Sequence, residues 1–165
     1  MATTDERAKD QAKAQLESIV EMVKRLEHAG KCDGGEDCEL TDQEIYAGIN
    51  LFYREGDEAS EEDRENYHDE EQARQAIEEG PLSVEVRSGW HDPGRDRIPT
   101  EYMILLCTGG PAVRIVGELN QYQEPETARI EYQDWFTPWE AYDGTSSGED
   151  NALLTYARQF YFGER

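Results

Sequence analysis

The sequence contains no long apolar run and has few basic side chains. No stretch of about twenty apolar residues occurs, which excludes a transmembrane helix of ordinary length. The first residues, Met1-Ala-Thr-Thr-Asp-Glu, lack the basic and apolar regions of a signal peptide. Cysteine is also scarce, with three residues, an odd number that does not suggest a disulfide framework. We therefore expect a reduced, cytoplasmic protein with no membrane partner.

Basic residues are outnumbered by acidic ones. Sixteen Lys and Arg against thirty-eight Asp and Glu give a net charge of −22, and residues 1–80 carry −15 of it. Such a surface repels phosphates and anionic lipids, which argues against direct binding to nucleic acid or membranes, and it attracts basic surfaces. Solubility, or life at high salt, is the alternative explanation. The uneven distribution of the charge favours a specific basic partner.

Catalytic motifs are also lacking. The chain contains no G-x-S-x-G, H-E-x-x-H or Walker A sequence. His91-Asp92 and His68-Asp69 are adjacent in sequence, and neighbouring side chains tend to point in different directions, so neither pair indicates acid–base catalysis. Cys107 lies in an apolar strand pattern with no predictable base beside it. We predict that the protein is not an enzyme and needs no cofactor.

A metal site is considered at the loop that follows the first predicted helix. Cys32 and Cys38, with His28, could bind zinc, but five residues separate the cysteines and no fourth ligand is evident nearby. The surrounding acids also oppose thiolate formation by like-charge repulsion. The sequence therefore predicts a solvated loop without metal, and a disulfide only in an oxidised protein.

The N-terminal half has helical patterns. Apolar residues recur at helical spacing over residues 4–29 and, with Ile45, Ile49 and Phe52 on one face, over residues 41–54. Thr41 and Glu44 predict a capping box. Asp69 is the predicted cap of a helix over residues 70–79.

From residue 82 the period changes to that of strands. Four strands are predicted near residues 82–86, 102–107, 113–117 and 128–132, in meander order, followed by a helix over residues 151–160. The predicted fold class is α+β: N-terminal helices, a four-stranded, mostly antiparallel meander sheet and a closing C-terminal helix. Residues 1–80 form an acidic helical region, and residues 81–165 form the sheet and last helix, one compact unit with part of the first region. The predicted core contains Val84, Ile104, Leu106, Val113, Ile115 and Leu154.

Aromatic residues concentrate in the C-terminal half. Most are expected in the core, but Trp135, Phe136 and Trp139 follow each other too irregularly for every ring to be buried. We predict an apolar contact there, and both a homodimer interface and a partner anchor remain open.

Several segments resemble a known family. They are Leu82-Ser-Val-Glu-Val-Arg-Ser-Gly-Trp-His, Glu101-Tyr-Met-Ile-Leu-Leu-Cys-Thr-Gly-Gly-Pro, Glu131-Tyr-Gln-Asp-Trp and Ala157-Arg-Gln-Phe-Tyr-Phe-Gly-Glu. Over residues 36–165 the chain is similar to small acidic proteins encoded in phages and prophages of proteobacteria, a family without an established function. The resemblance implies an accessory phage protein that acts in the host cytoplasm on or with host machinery, and it supplies no catalytic residues.

Charge and resemblance together predict an inhibitor that imitates DNA. An acid-dense helix approaches the linear charge density of a duplex, and residues 55–79 have the necessary density. The predicted phosphate mimics are the ten carboxylates of residues 55–71. They would replace phosphates in the groove of a basic, nucleic-acid-binding host protein such as a defence or DNA-processing enzyme. The alternative is a structural or regulatory phage protein whose acidity only maintains solubility. The predicted partner-binding residues are Glu55, Asp57, Glu58, Glu61, Glu62, Asp63, Glu65, Asp69, Glu70 and Glu71.

Overall fold

The fold is α+β, as predicted, with helices and an antiparallel sheet. A computed structural model describes residues 4–95 and 97–163. None of the helices in these ranges is long and apolar enough to cross a membrane. In chain order the elements are α1 (Thr4–Ala29), α2 (Asp42–Gly48), α3 (Glu61–Tyr67), α4 (Glu70–Glu79), β1 (Ser83–Arg87), β2 (Glu101–Cys107), β3 (Ala112–Glu118), β4 (Arg129–Gln133), β5 (Glu140–Ala141) and α5 (Ser147–Ala157).

Helix α1 has the bounds that its apolar stripe predicts. Leu16, Ile19 and Val23 lie on one face at spacings of three and four residues, and each is almost completely buried. This face packs against α4, α5 and strands β3 and β4. One core is thereby shared by the N-terminal helices, the sheet and the last helix.

The strands form a meander in the order β1-β2-β3-β4-β5, and every pairing is antiparallel. Ile104, Ile115 and Ile130 are paired across β2, β3 and β4, and all three are buried beneath the helices. The predicted strand count was one too low. Strand β5 is only two residues long, too short for a period-two pattern to reveal it.

Part of the predicted core is wrong. Val84 is 39 % exposed because β1 lies at the edge of the sheet, whereas α1 packs on β3 and β4. In α5 the fully buried residue is Leu153, and Leu154 is half-buried. Leu106 is also only half-buried. Ile104, Val113 and Ile115 are buried as predicted.

The second helix is shorter than predicted. The expected capping box of Thr41 and Glu44 is present, but α2 ends at Gly48 rather than near residue 54. Asn50 then takes a positive φ of 57°, which turns the chain away. Phe52, predicted on the inner face of the helix, is consequently 81 % exposed.

Helix α3 is not among the helices that the sequence pattern predicts, although the mimicry hypothesis assumed a longer helix through its residues. It begins at a second capping box, in which Ser60 accepts the backbone N–H of Asp63 and the Asp63 carboxylate accepts that of Ser60. Its only buried residue is Tyr67, so no apolar stripe marks it in the sequence. Helix α4 follows, capped by Asp69 as predicted.

Candidate metal centre and acidic segment

Residues 55–71, the acidic segment, do not form one continuous helix. A loop is followed by α3, which ends at Tyr67, and α4 begins at Glu70. An α-helix of seven residues is about 10 Å long. The assumption of an unbroken acid-dense helix is therefore wrong, and the ten predicted carboxylates fall into groups with different roles.

Five of the ten acids make contacts within the protein. Asp57, Asp63 and Asp69 accept backbone N–H groups of Arg54, Ser60 and Gln72, so their carboxylates shape turns and helix starts. Glu70 and Glu71 lie 3.4 and 3.5 Å from the guanidinium of Arg74. These five carboxylates therefore already interact with groups of the protein itself.

The other five acids are exposed to solvent. Their side chains make no hydrogen bond or ion pair with any residue in the described part of the chain. They lie in the loop and on α3, on a stretch of eleven residues that contains one basic side chain, Arg64. They are Glu55, Glu58, Glu61, Glu62 and Glu65.

The segment that carries these glutamates is anchored at several points. Arg64 makes an ion pair with Asp42 of α2. Arg25, on α1 and only 5 % exposed, donates from Nε to the Tyr67 carbonyl at 3.3 Å and from Nη2 to the Asn66 carbonyl at 2.7 Å. These carbonyls belong to the last turn of α3, where free acceptors attract a cation. Arg25 thereby holds the end of α3 against α1.

Two histidines and two cysteines meet where α3 ends. The ligand atoms of His28, Cys32, Cys38 and His68, here called the Cys2His2 cluster, all lie within 4.8 Å of one another. The two Nε2 atoms are 3.1 Å apart. The Cys38 Sγ lies 3.6 Å from Nε2 of His28 and 3.3 Å from Nε2 of His68. Two imidazole nitrogens and two sulfurs are thus close enough together to bind one ion.

Local backbone structure brings the first three of these residues together. His28 is in the last turn of α1, and its carbonyl accepts the backbone N–H of Cys32 at 2.9 Å, so the chain folds back at the helix end. A turn follows in which the backbone N–H of Cys38 donates to the Gly35 carbonyl. Gly34 has a φ of +80°, and a Cβ on it would lie 2.9 Å from Nδ1 of His68. Glycine therefore permits the loop to approach that ring.

The fourth residue, His68, is oriented by its own helix. Its Nδ1 lies 2.7 Å from the carbonyl of Arg64, which can only accept, so Nδ1 carries the proton and donates. In the neutral ring, Nε2 is then left with a lone pair that faces the cluster. On the loop side, the Gly34 N–H donates to the Cys32 sulfur at 3.5 Å. Burial, and then the neighbouring His68, lowers the pKa of His28.

Sequence reasoning missed the cluster because its fourth member is distant. His68 lies thirty residues beyond Cys38, and no local spacing links the two. The expectation of no bound zinc rested in part on the lack of an evident fourth ligand near the loop, and the fold brings His68 to that place. One local signal was available: three residues separate His28 from Cys32, a spacing that occurs between zinc ligands.

The three residues of the predicted apolar contact differ in their exposure. Trp135 is 63 % exposed and lies against Gly110, and Phe136 is completely exposed with a φ of 63°. Trp139 is half-buried, with the Arg114 guanidinium 4.1 Å from the centre of its ring. The exposed apolar surface of this region is therefore limited to the first two rings.

The third histidine and the third cysteine lie outside the Cys2His2 cluster. His91 is exposed, and its Nδ1 faces the carbonyl of Gly89 in its own loop. Cys107 is half-buried at the end of β2, where burial raises the pKa of its thiol.

Comparison with family models, with curated proteins and with solved structures gives no match to this chain.

Proposed function

We propose that this protein is a non-enzymatic inhibitor whose acidic segment occupies the basic groove of a nucleic-acid-binding partner. The observation that supports it is the set of five exposed glutamates: Glu55, Glu58, Glu61, Glu62 and Glu65. No cation of the described residues lies close enough to these carboxylates to form an ion pair that offsets their negative charge. Lysines and arginines in a groove that binds phosphates would therefore attract them.

Anchoring of the segment strengthens the proposal. Binding is weakened by the entropy lost when mobile groups become ordered. The capping box at Ser60, the Arg64–Asp42 pair and the Arg25 contacts hold the backbone of α3 before any partner arrives. The resemblance to acidic phage proteins supports a host defence or DNA-processing enzyme as the partner, in the host cytoplasm.

A second candidate function is supported by the wider distribution of acids. Exposed glutamates also occur on the sheet and its loops, for example Glu85, Glu118 and Glu140. Such a spread suits an accessory protein whose charge maintains solubility. The two candidates differ in whether the position of the charges matters.

A pair of matched variants separates the two functions. One replaces the five segment glutamates by glutamine, and the control replaces five exposed glutamates elsewhere. Each changes the net charge from −22 to −17, because five negative charges are removed. The control positions also have no side-chain hydrogen bond or ion pair with a described residue, and they are Glu85, Glu118, Glu124, Glu126 and Glu140.

The experiment captures a partner from bacterial lysate and then measures its affinity for the native protein and both variants. We expect a loss on the order of tenfold or more for the segment variant and little change for the control, with duplex DNA displacing the native protein. Equal losses in both variants, or failure of DNA to compete, would exclude mimicry and favour the solubility function. Circular dichroism checks that both variants keep the native fold.

A further inference from the structure

We infer that the Cys2His2 cluster is a structural zinc site that joins the end of α1 to the junction of α3 and α4. The inference does not rest on the proposed function, since its four ligands are not among the exposed glutamates and its test measures metal rather than partner binding. It also replaces the sequence-based expectation that the chain binds no metal.

The spacing of the ligand atoms fits tetrahedral zinc. With zinc–nitrogen and zinc–sulfur bonds of about 2.0–2.1 and 2.3 Å, a tetrahedron places two nitrogens about 3.3 Å apart and nitrogen and sulfur about 3.6 Å apart. The observed separations are 3.1 Å between the two Nε2 atoms, and 3.3 and 3.6 Å from the Cys38 sulfur. Small shifts of His28, His68 and Cys38 would therefore suffice to bind the ion, and the Cys32 sulfur lies within 4.8 Å of all three ligand atoms.

The chemistry of the donors selects zinc among common metal ions. Two thiolates and two imidazoles suit zinc, whereas calcium and magnesium prefer oxygen ligands. Four protein ligands leave no open position for substrate, which is typical of a structural site. With two thiolates the bound ion is electrically neutral overall, so it adds no charge to this acidic protein.

Groups around the ligands support the assignment. Zinc-bound histidines commonly donate their second N–H to a carbonyl, and His68 donates its Nδ1–H to the carbonyl of Arg64. The Gly34 N–H donates to the Cys32 sulfur, a contact that stabilises a thiolate. Gly34 itself lies where a side chain would collide with His68.

A bound ion has a clear structural task. Helix α3 has one buried residue, Tyr67, and its attachment to α1 otherwise depends on the Arg25 hydrogen bonds. Zinc would add a link between α1, the loop of residues 31–40 and His68. Removal of the metal should therefore loosen α3 before it affects the sheet.

The chain provides its own controls for the test. It has three cysteines and three histidines, and Cys107 and His91 lie outside the cluster. Protein purified under reducing conditions is loaded with zinc, dialysed and analysed for metal. We expect one zinc per chain in the native protein, Cys107→Ser and His91→Gln, and at least about tenfold less in Cys38→Ser and His68→Gln.

Two measurements on the native chain keep the test decisive if a site variant fails to fold. Reconstitution with Co²⁺ should give the visible spectrum of a tetrahedral ion and a thiolate-to-metal charge-transfer band. Chelation should lower the melting temperature by on the order of 10 °C and speed amide exchange in residues 61–69 before the sheet. Substoichiometric zinc, an octahedral cobalt spectrum or a Cys32–Cys38 disulfide under reducing conditions would overturn the inference. Zinc retained in both site variants, or lost equally from the two control variants, would also overturn it.

Discussion

Gly48, the last residue of α2, lies directly against the buried ring of Tyr67 at the end of α3. A Cβ on Gly48 would overlap that ring, and Tyr67 is only 1 % exposed, so the ring has nowhere to move. The contact explains why a glycine occupies the last position of α2. It also joins α2 to the helix that carries the exposed glutamates.

Replacement of Gly48 by alanine should destabilise the protein. We expect a loss of about 1–3 kcal/mol in the free energy of unfolding, the usual cost of overpacking a filled interior. Urea denaturation measures it. Gly148→Ala is the control, because a Cβ there meets only Ser146 Oγ at 3.9 Å and alanine favours the helix. Equal stability of Gly48→Ala and the native protein would show that Tyr67 is not held as described.

Loss of the Arg25 guanidinium should weaken the attachment of α3. In Arg25→Met the Tyr67 and Asn66 carbonyls lose their buried donor. We expect a loss of about 2 kcal/mol in urea denaturation, the order expected when a buried acceptor is left without a partner. Lys24→Met, at the exposed neighbouring position, should change stability by less than about 0.5 kcal/mol. A similar small effect in both variants would contradict the structural role of Arg25.

Buried tyrosines should make the protein sensitive to alkaline pH. Burial raises the pKa of Tyr156, which is 1 % exposed, so the unfolded chain releases the phenol proton first. The resulting stabilisation is complete below about pH 10 and is lost as pH rises further, by up to about 1.4 kcal/mol per pH unit. Unfolding free energies at about pH 9 and about pH 11 test this.

Tyrosine-to-phenylalanine variants show which residue causes the loss of stability at alkaline pH. Tyr156→Phe should reduce the loss between the two pH values without abolishing it, because burial also raises the pKa of Tyr102. Tyr122→Phe, at a position 70 % exposed, should leave the loss unchanged. An unchanged loss in Tyr156→Phe would exclude this residue as a source.

Replacement of Phe136 by asparagine should stabilise the protein. It is completely exposed and has a φ of 63°, a conformation that costs a bulky side chain energy and suits asparagine. Phe136→Asn should raise the free energy of unfolding by about 0.5–1 kcal/mol. Trp90→Asn is the control, since Trp90 is equally exposed but has no positive φ.

The same variant tests the predicted homodimer contact. If Phe136 and the neighbouring Trp135 join two copies of the chain, Phe136→Asn should shift sedimentation from dimer to monomer, and Trp90→Asn should not. Monomeric native protein at all concentrations would leave a partner anchor as the remaining prediction for these rings.

Elements with a regular pattern or a local cap could be predicted from the sequence. The stripe that includes Leu16, Ile19 and Val23 determines α1, and the Asp69 cap determines the start of α4, because helical period and capping involve residues close in the chain. The meander order could also be predicted, since strands that follow each other in the chain usually lie side by side in a sheet.

Only the tertiary structure decided which distant residues meet and which apolar positions of the strands the helices bury. Val84 has a strand pattern but lies on an edge that the helices do not reach, and α3 has a single buried residue and no period. His68 joins His28, Cys32 and Cys38 because the Arg25 hydrogen bonds hold the end of α3 against α1 and because Gly34 leaves room for the His68 ring. Local sequence patterns do not reveal such contacts, because residues distant in the chain stabilise each other only after the elements that carry them have packed together.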